Sequence, residues 1–167
     1  GMQKKYFDLV VVYEKEETEL DLEIQKIWSE ILVEIDNSFN EYQFSDVLKN
    51  IWKFVSRMNK YIDESEPWIL SREESKKSRL STVMYNLVDA LEKIAVLVSP
   101  FMPDTSKKML EQLGLDESKE RTLNEIKNWG SYPANNKLGK ATPIFPRLEY
   151  VEKAEEDEFI INENLII

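Results

Sequence analysis

Residues 18–39 read TELDLEIQKIWSEILVEIDNSF and settle the class of secondary structure. Apolar side chains recur there at the three- and four-residue spacing of one helix face, and glutamates occupy the other faces. A helix with one apolar face must bury that face against neighbouring elements, so the stretch predicts a member of a helix bundle. The apolar face consists of Leu20, Ile24, Ile27, Trp28, Ile31 and Ile35.

A second helix is predicted over residues 45–63, with Ser45 as its N-cap. Pro67 ends it, because proline has no amide hydrogen and disfavours helical geometry at the residue before it. Residues 64–74, ESEPWILSREE, are therefore expected to form a loop between helices with Trp68 at its centre. The apolar face of this helix consists of Val47, Leu48, Ile51, Phe54, Val55, Met58 and Ile62.

Residues 75–98 predict a third long helix, which ends before Pro100. Pro103 can begin a short fourth helix, and Gly114 is suited to the left-handed position that follows a helix end. A last, weak helix is predicted over residues 122–128. The apolar face of the third helix consists of Leu80, Val83, Met84, Leu87, Leu91, Ile94 and Val98.

The character of the chain changes near residue 131, and three of the six prolines lie after that point. The sequence therefore predicts an all-α antiparallel bundle over residues 1–130, in which 2–7 end a helix and 8–17 form a loop. An extended strap follows over residues 131–150. An acidic linker and an apolar tail, FIINENLII, complete the chain over 151–167.

Composition excludes several classes of site. The chain of 167 residues has no Cys and no His, so disulfides, thiolate metal sites and histidine bases are absent, and no catalytic or metal-binding residue is predicted. No apolar run of about 18 residues or glycine-rich phosphate loop is present, and a cytoplasmic protein is expected. The net charge of −10 means that any nucleic-acid contact must come from a local site.

The strongest candidate for such a site is Trp68 with its neighbours. A Trp directly after Pro67 at a helix end is either a core residue that closes the bundle or a platform on which an unpaired base stacks. Asn59 and Asp63, four residues apart, share a helix face on which they can contact a base edge or form an ordinary solvated pair.

Basic side chains are concentrated around the same loop. Residues 56–80 contain six basic and five acidic side chains, so the region is about neutral in a strongly acidic chain. This composition is compatible with a local surface that grips an RNA hairpin loop, and equally with a mixed solvated surface. The basic residues are Arg57, Lys60, Arg72, Lys76, Lys77 and Arg79.

The stretch that spans residues 51–69, IWKFVSRMNKYIDESEPWI, resembles the anticodon-binding domains of bacterial methionyl-tRNA synthetases, which are class I enzymes. The similarity continues through residues 81–114, STVMYNLVDALEKIAVLVSPFMPDTSKKMLEQLG, and ends at 143–149, PIFPRLE. It covers roughly residues 2–150. The Y-I-D-E-x-x-P-W core is shared more loosely by the synthetases for leucine, isoleucine and valine.

The resemblance implies a helical domain that reads the CAU anticodon of methionine tRNA. Trp68 then stacks on an anticodon base beside Pro67, and Asp63 lies near the anticodon. Asn59 lies one turn earlier on the same helix, and the role of this residue carries over less directly. The family also uses an Asn and an Arg on the first bundle helix, which the resemblance places before Met2.

The resemblance assigns catalysis to a separate domain of the full enzyme, which would be the partner of this chain besides the tRNA. ATP, magnesium and the zinc of the family's metal-binding insert belong to that domain, so no cofactor is expected here. Two alternatives stay open: a helical protein-interaction module that uses the acidic surface and the apolar tail, or the same domain of a sibling class I synthetase.

Overall fold

The computed structural model describes residues 1–116, 118–119 and 121–146. The elements of this part of the chain are helical and confirm the predicted all-α bundle. They are α1 (Met2–Phe7), α2 (Glu19–Asn40), α3 (Phe44–Ser65), α4 (Pro67–Leu70), a 3-10 turn (Glu74–Lys76), α5 (Lys77–Val98) and α6 (Pro103–Gln112).

Helices α2 and α3 form an antiparallel hairpin whose apolar faces meet. Trp28 and Phe54 are fully buried in this interface, with ring centroids 5.0 Å apart. A capping box begins α2, in which Thr18 and Asp21 satisfy each other's backbone amides. Helix α3 begins earlier than predicted, after Gln43 and without a side-chain cap, so the prediction of Ser45 as N-cap is wrong.

Helix α5 is the centre of the molecule, and it is buried on nearly every side. Polar residues that lie outside the predicted apolar face, such as Asn86, Asp89 and Lys93, are buried together with the apolar ones. Leu91 belongs to the predicted buried face, and that prediction is wrong, since Leu91 is 44% exposed. Periodicity predicts one buried face for this helix. In the structure, α3, α4 and α6 pack against α5, and so do the N-terminal loop at Val11 and the strap at Tyr132.

Helix α6 ends as predicted, with Gly114 in the left-handed region at φ 67°. The amide of Gly114 donates to the carbonyl of Glu111, and the amide of Leu115 donates to that of Leu110, both at 2.9 Å. These two bonds define a Schellman motif.

The helix predicted over residues 122–128 is not formed; these residues make turns. The indole N–H of Trp28 donates to the carbonyl of Lys127 at 3.1 Å, and Ile126 is fully buried. Tertiary contacts therefore hold this segment in place of helical hydrogen bonds.

The described part of the strap, residues 131–146, contains no helix. It lies against the N-terminal loop, where Val10 and Lys137 form an isolated antiparallel bridge. Predictions for residues 147–150 and for the tail 151–167 lie outside the described residues. Within the described ranges, no helix combines the length and the apolar character needed to cross a lipid bilayer.

Candidate nucleic-acid interface

The turn between α3 and α4 presents Trp68 at the surface. Glu66 adopts left-handed geometry at φ 43°, and its amide donates to the carbonyl of Ile62 at 3.1 Å, which ends α3. Pro67 is buried at the first position of α4, where its missing amide hydrogen costs nothing. The chain therefore closes this end of the bundle with Pro67, and it leaves the indole of Trp68 39% exposed.

This exposure rules out the interpretation of Trp68 as a core residue. The two core-facing tryptophans are Trp28, which is fully buried, and Trp129, which packs partly buried against the core. An exposed indole next to a rigid, buried proline is suited to stacking on a flat ligand. That Trp68 stacks on a base stays a prediction.

Asn59 and Asp63 are both exposed on α3, one helical turn apart. Asn59 lines an apolar groove of about 300 Å³ between α1, α3 and α5. Asp63 does not line it, so the structure brings only Asn59 to this groove. Neither side chain is committed to a hydrogen bond or an ion pair within the part of the chain described above, which leaves both available to a ligand. The other groove-lining side chains include Met2, Val55, Met58, Ile62, Met84 and Leu87.

Most of the basic side chains predicted to surround this site are paired with carboxylates. Arg57 bridges Glu23 and Glu64 at 3.2 and 3.0 Å, and Arg79 contacts Asp21 at 2.9 Å. Both arginines are largely buried and serve the packing of helices. The hypothesis of a single basic patch around the loop is therefore wrong for these two residues. Of the six basic residues around this loop, the three lysines also form ion pairs but are more exposed than the two arginines; they are Lys60, Lys76 and Lys77.

A buried polar cluster lies beneath this end of the bundle and centres on Asp21. The Tyr61 hydroxyl donates to Oδ1 of Asp21 at 2.5 Å, and the Asn86 amide donates to the same atom at 2.8 Å. The backbone amide and hydroxyl of Thr18 and the guanidinium of Arg79 contact Oδ2 at 2.6 to 2.9 Å. Asp21 thereby ties α2 to α3 and α5, and its partner on α3, Tyr61, lies two residues before Asp63.

These donors determine the ionisation of the cluster. Burial by itself raises the pKa of Asp21, but the hydrogen bonds from Tyr61 and Thr18, together with Arg79, outweigh burial and hold that pKa below its ordinary value. Burial also raises the pKa of Tyr61, so its hydroxyl stays a donor at neutral pH. The Thr-x-x-Asp spacing of Thr18 and Asp21 is a sequence signal for the helix cap. No sequence signal indicates that Asp21 also binds Tyr61.

A second buried cluster holds the strap to α5. Lys93 is fully buried, and its ammonium lies 2.9 Å from Asp89 and 5.5 and 5.3 Å from the ring centroids of Trp28 and Trp129. Asp89 also accepts the backbone amides of Gly130 and Tyr132 at 2.9 Å each. Burial lowers the pKa of Lys93, and the adjacent Asp89 opposes that shift. The cluster is a structural anchor, which sequence reasoning missed.

The arrangement described so far offers binding groups and no reactive pair. Within the described residues, no three acidic side chains are placed to hold a metal ion. The family described as the anticodon-binding domain of tRNA ligases matches residues 21–162. The chain belongs to this family.

Relatives of this anticodon-binding domain confirm the predicted resemblance. A methionine–tRNA ligase of Fusobacterium nucleatum is 42% identical over 156 residues, which are 93% of this chain and 24% of that protein. A methionine–tRNA ligase of Caldanaerobacter subterraneus is 41% identical over 152 residues, 91% of this chain and 23% of its own length. The chain thus spans about a quarter of the curated relatives it matches.

Solved structures confirm the fold of the domain. The apo methionyl-tRNA synthetase of Mycobacterium tuberculosis superposes on this chain with a TM-score of 0.80 at 23% identity. The superposed part is 90% of this chain and 30% of the synthetase chain. The same enzyme in complex with methionyl-adenylate gives a TM-score of 0.77 at 24% identity, over 87% of this chain and 28% of that one.

Proposed function

We propose that this chain is the anticodon-binding domain of a methionine–tRNA ligase and that it recognises the CAU anticodon of methionine tRNA. The observation that carries the proposal is the indole of Trp68, which stands exposed beside buried Pro67. Single-stranded RNA is recognised by stacking unpaired bases on aromatic rings and by hydrogen bonds to base edges. Trp68 supplies the ring, and Asn59 and Asp63 supply unpaired polar groups on the preceding helix.

The ligase as a whole would join methionine to its tRNA in the cytoplasm at the expense of ATP. The chemistry belongs to a catalytic domain, with which this chain would work as a partner. ATP, magnesium and zinc would bind there, because this chain has no His and no Cys with which to hold zinc and no glycine-rich phosphate loop.

Relatives named as methionine–tRNA ligases favour this function over a sibling synthetase for leucine, isoleucine or valine. The alternative of a protein-interaction module was motivated partly by the apolar tail, which lies outside the described residues.

The test compares two exposed tryptophans of the same chain. Trp68→Ala should weaken binding of a CAU anticodon stem-loop by about 1–3 kcal/mol, roughly 5- to 150-fold, because one stacking surface is lost. Trp52→Ala is the matched control, since Trp52 is 53% exposed on the body of α3 and should leave affinity unchanged.

Fluorescence anisotropy of a labelled stem-loop measures both variants, and a stem-loop with a scrambled anticodon measures specificity. In the full-length ligase, Trp68→Ala should reduce tRNA charging and spare the formation of methionyl-adenylate. Equal affinity of the Trp68→Ala variant and the unaltered chain for the CAU stem-loop would show that no anticodon base stacks on Trp68. We call the surface formed by Trp68, Asn59 and Asp63 the reading surface.

A further inference from the structure

A shallow cleft of about 190 Å³ lies beside the Trp68 turn. Lys5 and Tyr6 from the last turn of α1 form one wall, and Ser71 and Lys77 belong to the other. Ser71 joins the cleft to the turn that carries Trp68, because its hydroxyl donates to the backbone carbonyl of Trp68 at 3.1 Å. Its remaining lining residues are Leu70, Glu73, Glu74 and Leu80.

Two cations in this cleft are available to an anion. Lys5 is exposed, and its ammonium lies 5.3 Å from the centroid of the Tyr6 ring. No carboxylate of the described residues lies within 4 Å of Lys5. Lys77 contacts Glu74 at 3.0 Å, but their side chains are 55% and 86% exposed. Such an exposed ion pair contributes little and exchanges readily for another anion.

The position of Lys77 is unfavourable for the helix that carries it. Lys77 begins α5, whose first turn contains no acidic residue. The amino end of a helix carries partial positive charge, so a cation there is repelled by the helix dipole. Only the exposed ion pair with Glu74 offsets this repulsion, so its own helix holds the Lys77 ammonium weakly.

We propose that Lys5 and Lys77 bind phosphate oxygens of the RNA backbone next to the nucleotide that stacks on Trp68. This inference rests on the proposed function and adds to it a site for the anionic part of the ligand. A chain with a net charge of −10 repels RNA as a whole. Its affinity therefore requires local cations at the point where the backbone enters the reading surface.

Salt dependence isolates this contribution. Each phosphate contact in single-stranded RNA makes the slope of log K against log salt steeper by about 0.7. The double variant Lys5→Gln/Lys77→Gln should therefore lose about 1.4 from that slope for the CAU stem-loop. The ratio of the affinity of the unaltered chain to that of the double variant should therefore fall about sevenfold between roughly 50 and 200 mM salt, because the unaltered chain has the steeper slope.

Two variants control this measurement. Lys107→Gln/Lys108→Gln removes the same charge from exposed neighbouring lysines of α6 and should keep the slope of the unaltered chain. Lys5→Arg/Lys77→Arg keeps both charges and should restore it.

Each outcome separates this inference from the proposed function. If the Lys5/Lys77 variant keeps the original slope, or if the α6 control loses as much, no phosphate site exists in the cleft. The function stands in that case, provided that Trp68→Ala still weakens binding and CAU is still preferred. If the unaltered chain does not prefer the CAU stem-loop, the proposed function fails and this inference fails with it.

Discussion

Replacement of Asp21 by Asn tests the polar cluster that holds the reading end of the bundle together. The substitution keeps the shape of the side chain, but it converts one acceptor oxygen into an NH₂ donor and removes the charge. Asp21 is fully buried and accepts from Tyr61, Asn86, Thr18 and Arg79. The new side chain has one acceptor oxygen, which can face either Tyr61 and Asn86 or Thr18 and Arg79, but not both pairs of donors.

The magnitude follows from the donors that lose an acceptor. With its oxygen toward Thr18 and Arg79, the Asn places its NH₂ against the amide of Asn86, and a buried donor without an acceptor costs about 1–3 kcal/mol. The opposite orientation leaves the Thr18 amide without its acceptor and removes the carboxylate partner of Arg79, which keeps its hydrogen bond to the carbonyl of Glu16. Arg79 is 12% exposed and keeps some solvation, so we expect a total loss of about 2–4 kcal/mol in the free energy of unfolding.

Urea denaturation followed by far-UV circular dichroism measures this loss, and thermal melting should show a fall of about 4–16 °C for a chain of this size. Asp36→Asn, an exposed position of the same helix α2, is the control and should change stability by less than about 0.5 kcal/mol. A change of less than about 1 kcal/mol for Asp21→Asn would refute the role of Asp21 as the centre of the cluster.

The same pair of proteins should respond differently to acid. Hydrogen bonds and Arg79 hold the pKa of Asp21 below its ordinary value in the folded chain. The carboxylate therefore contributes its full stability above the unfolded pKa of about 3.9 and loses that stability as the pH falls through its lower folded pKa. The stability difference between the unaltered chain and Asp21→Asn should be constant near neutral pH and shrink below about pH 4. A difference that stays constant into strong acid would contradict this assignment.

Two further substitutions test the anchoring of the strap, both by urea denaturation. Gly114→Ala should cost at least about 2 kcal/mol, because its φ is 67° and a Cβ there would lie 2.1 Å from the carbonyl oxygen of Lys137. Gly1→Ala, with open space around the Cβ, should be neutral. Lys93→Met should cost about 3–5 kcal/mol, because it leaves Asp89 charged and buried, and adding Asp89→Asn should recover part of this loss. Purely additive losses would argue against coupling between the two.

The sequence alone determined the class of the fold and the place of the candidate site. One-sided apolar periodicity predicts helices α2 and α3, since a helix at the edge of a bundle buries one face. Pro67 predicts the end of α3, and the exposed ring after it lies where the Pro-Trp pair indicated. The family resemblance drawn from the sequence is confirmed by the family match over residues 21–162.

Only the tertiary structure decided which residues support that site. Helix α5 is enclosed on nearly all sides, so burial of Asn86 and Lys93 depends on partners up to 65 residues away in the chain and leaves no periodic pattern. The helix predicted after α6 is replaced by turns, because buried contacts of Ile126 and Trp129 outweigh its weak local preference. Lys5 and Lys77 line one cleft only because α1 folds back beside the segment that follows the Trp68 turn. Local spacing encodes helices, whereas contacts between distant segments depend on the packing of the whole chain.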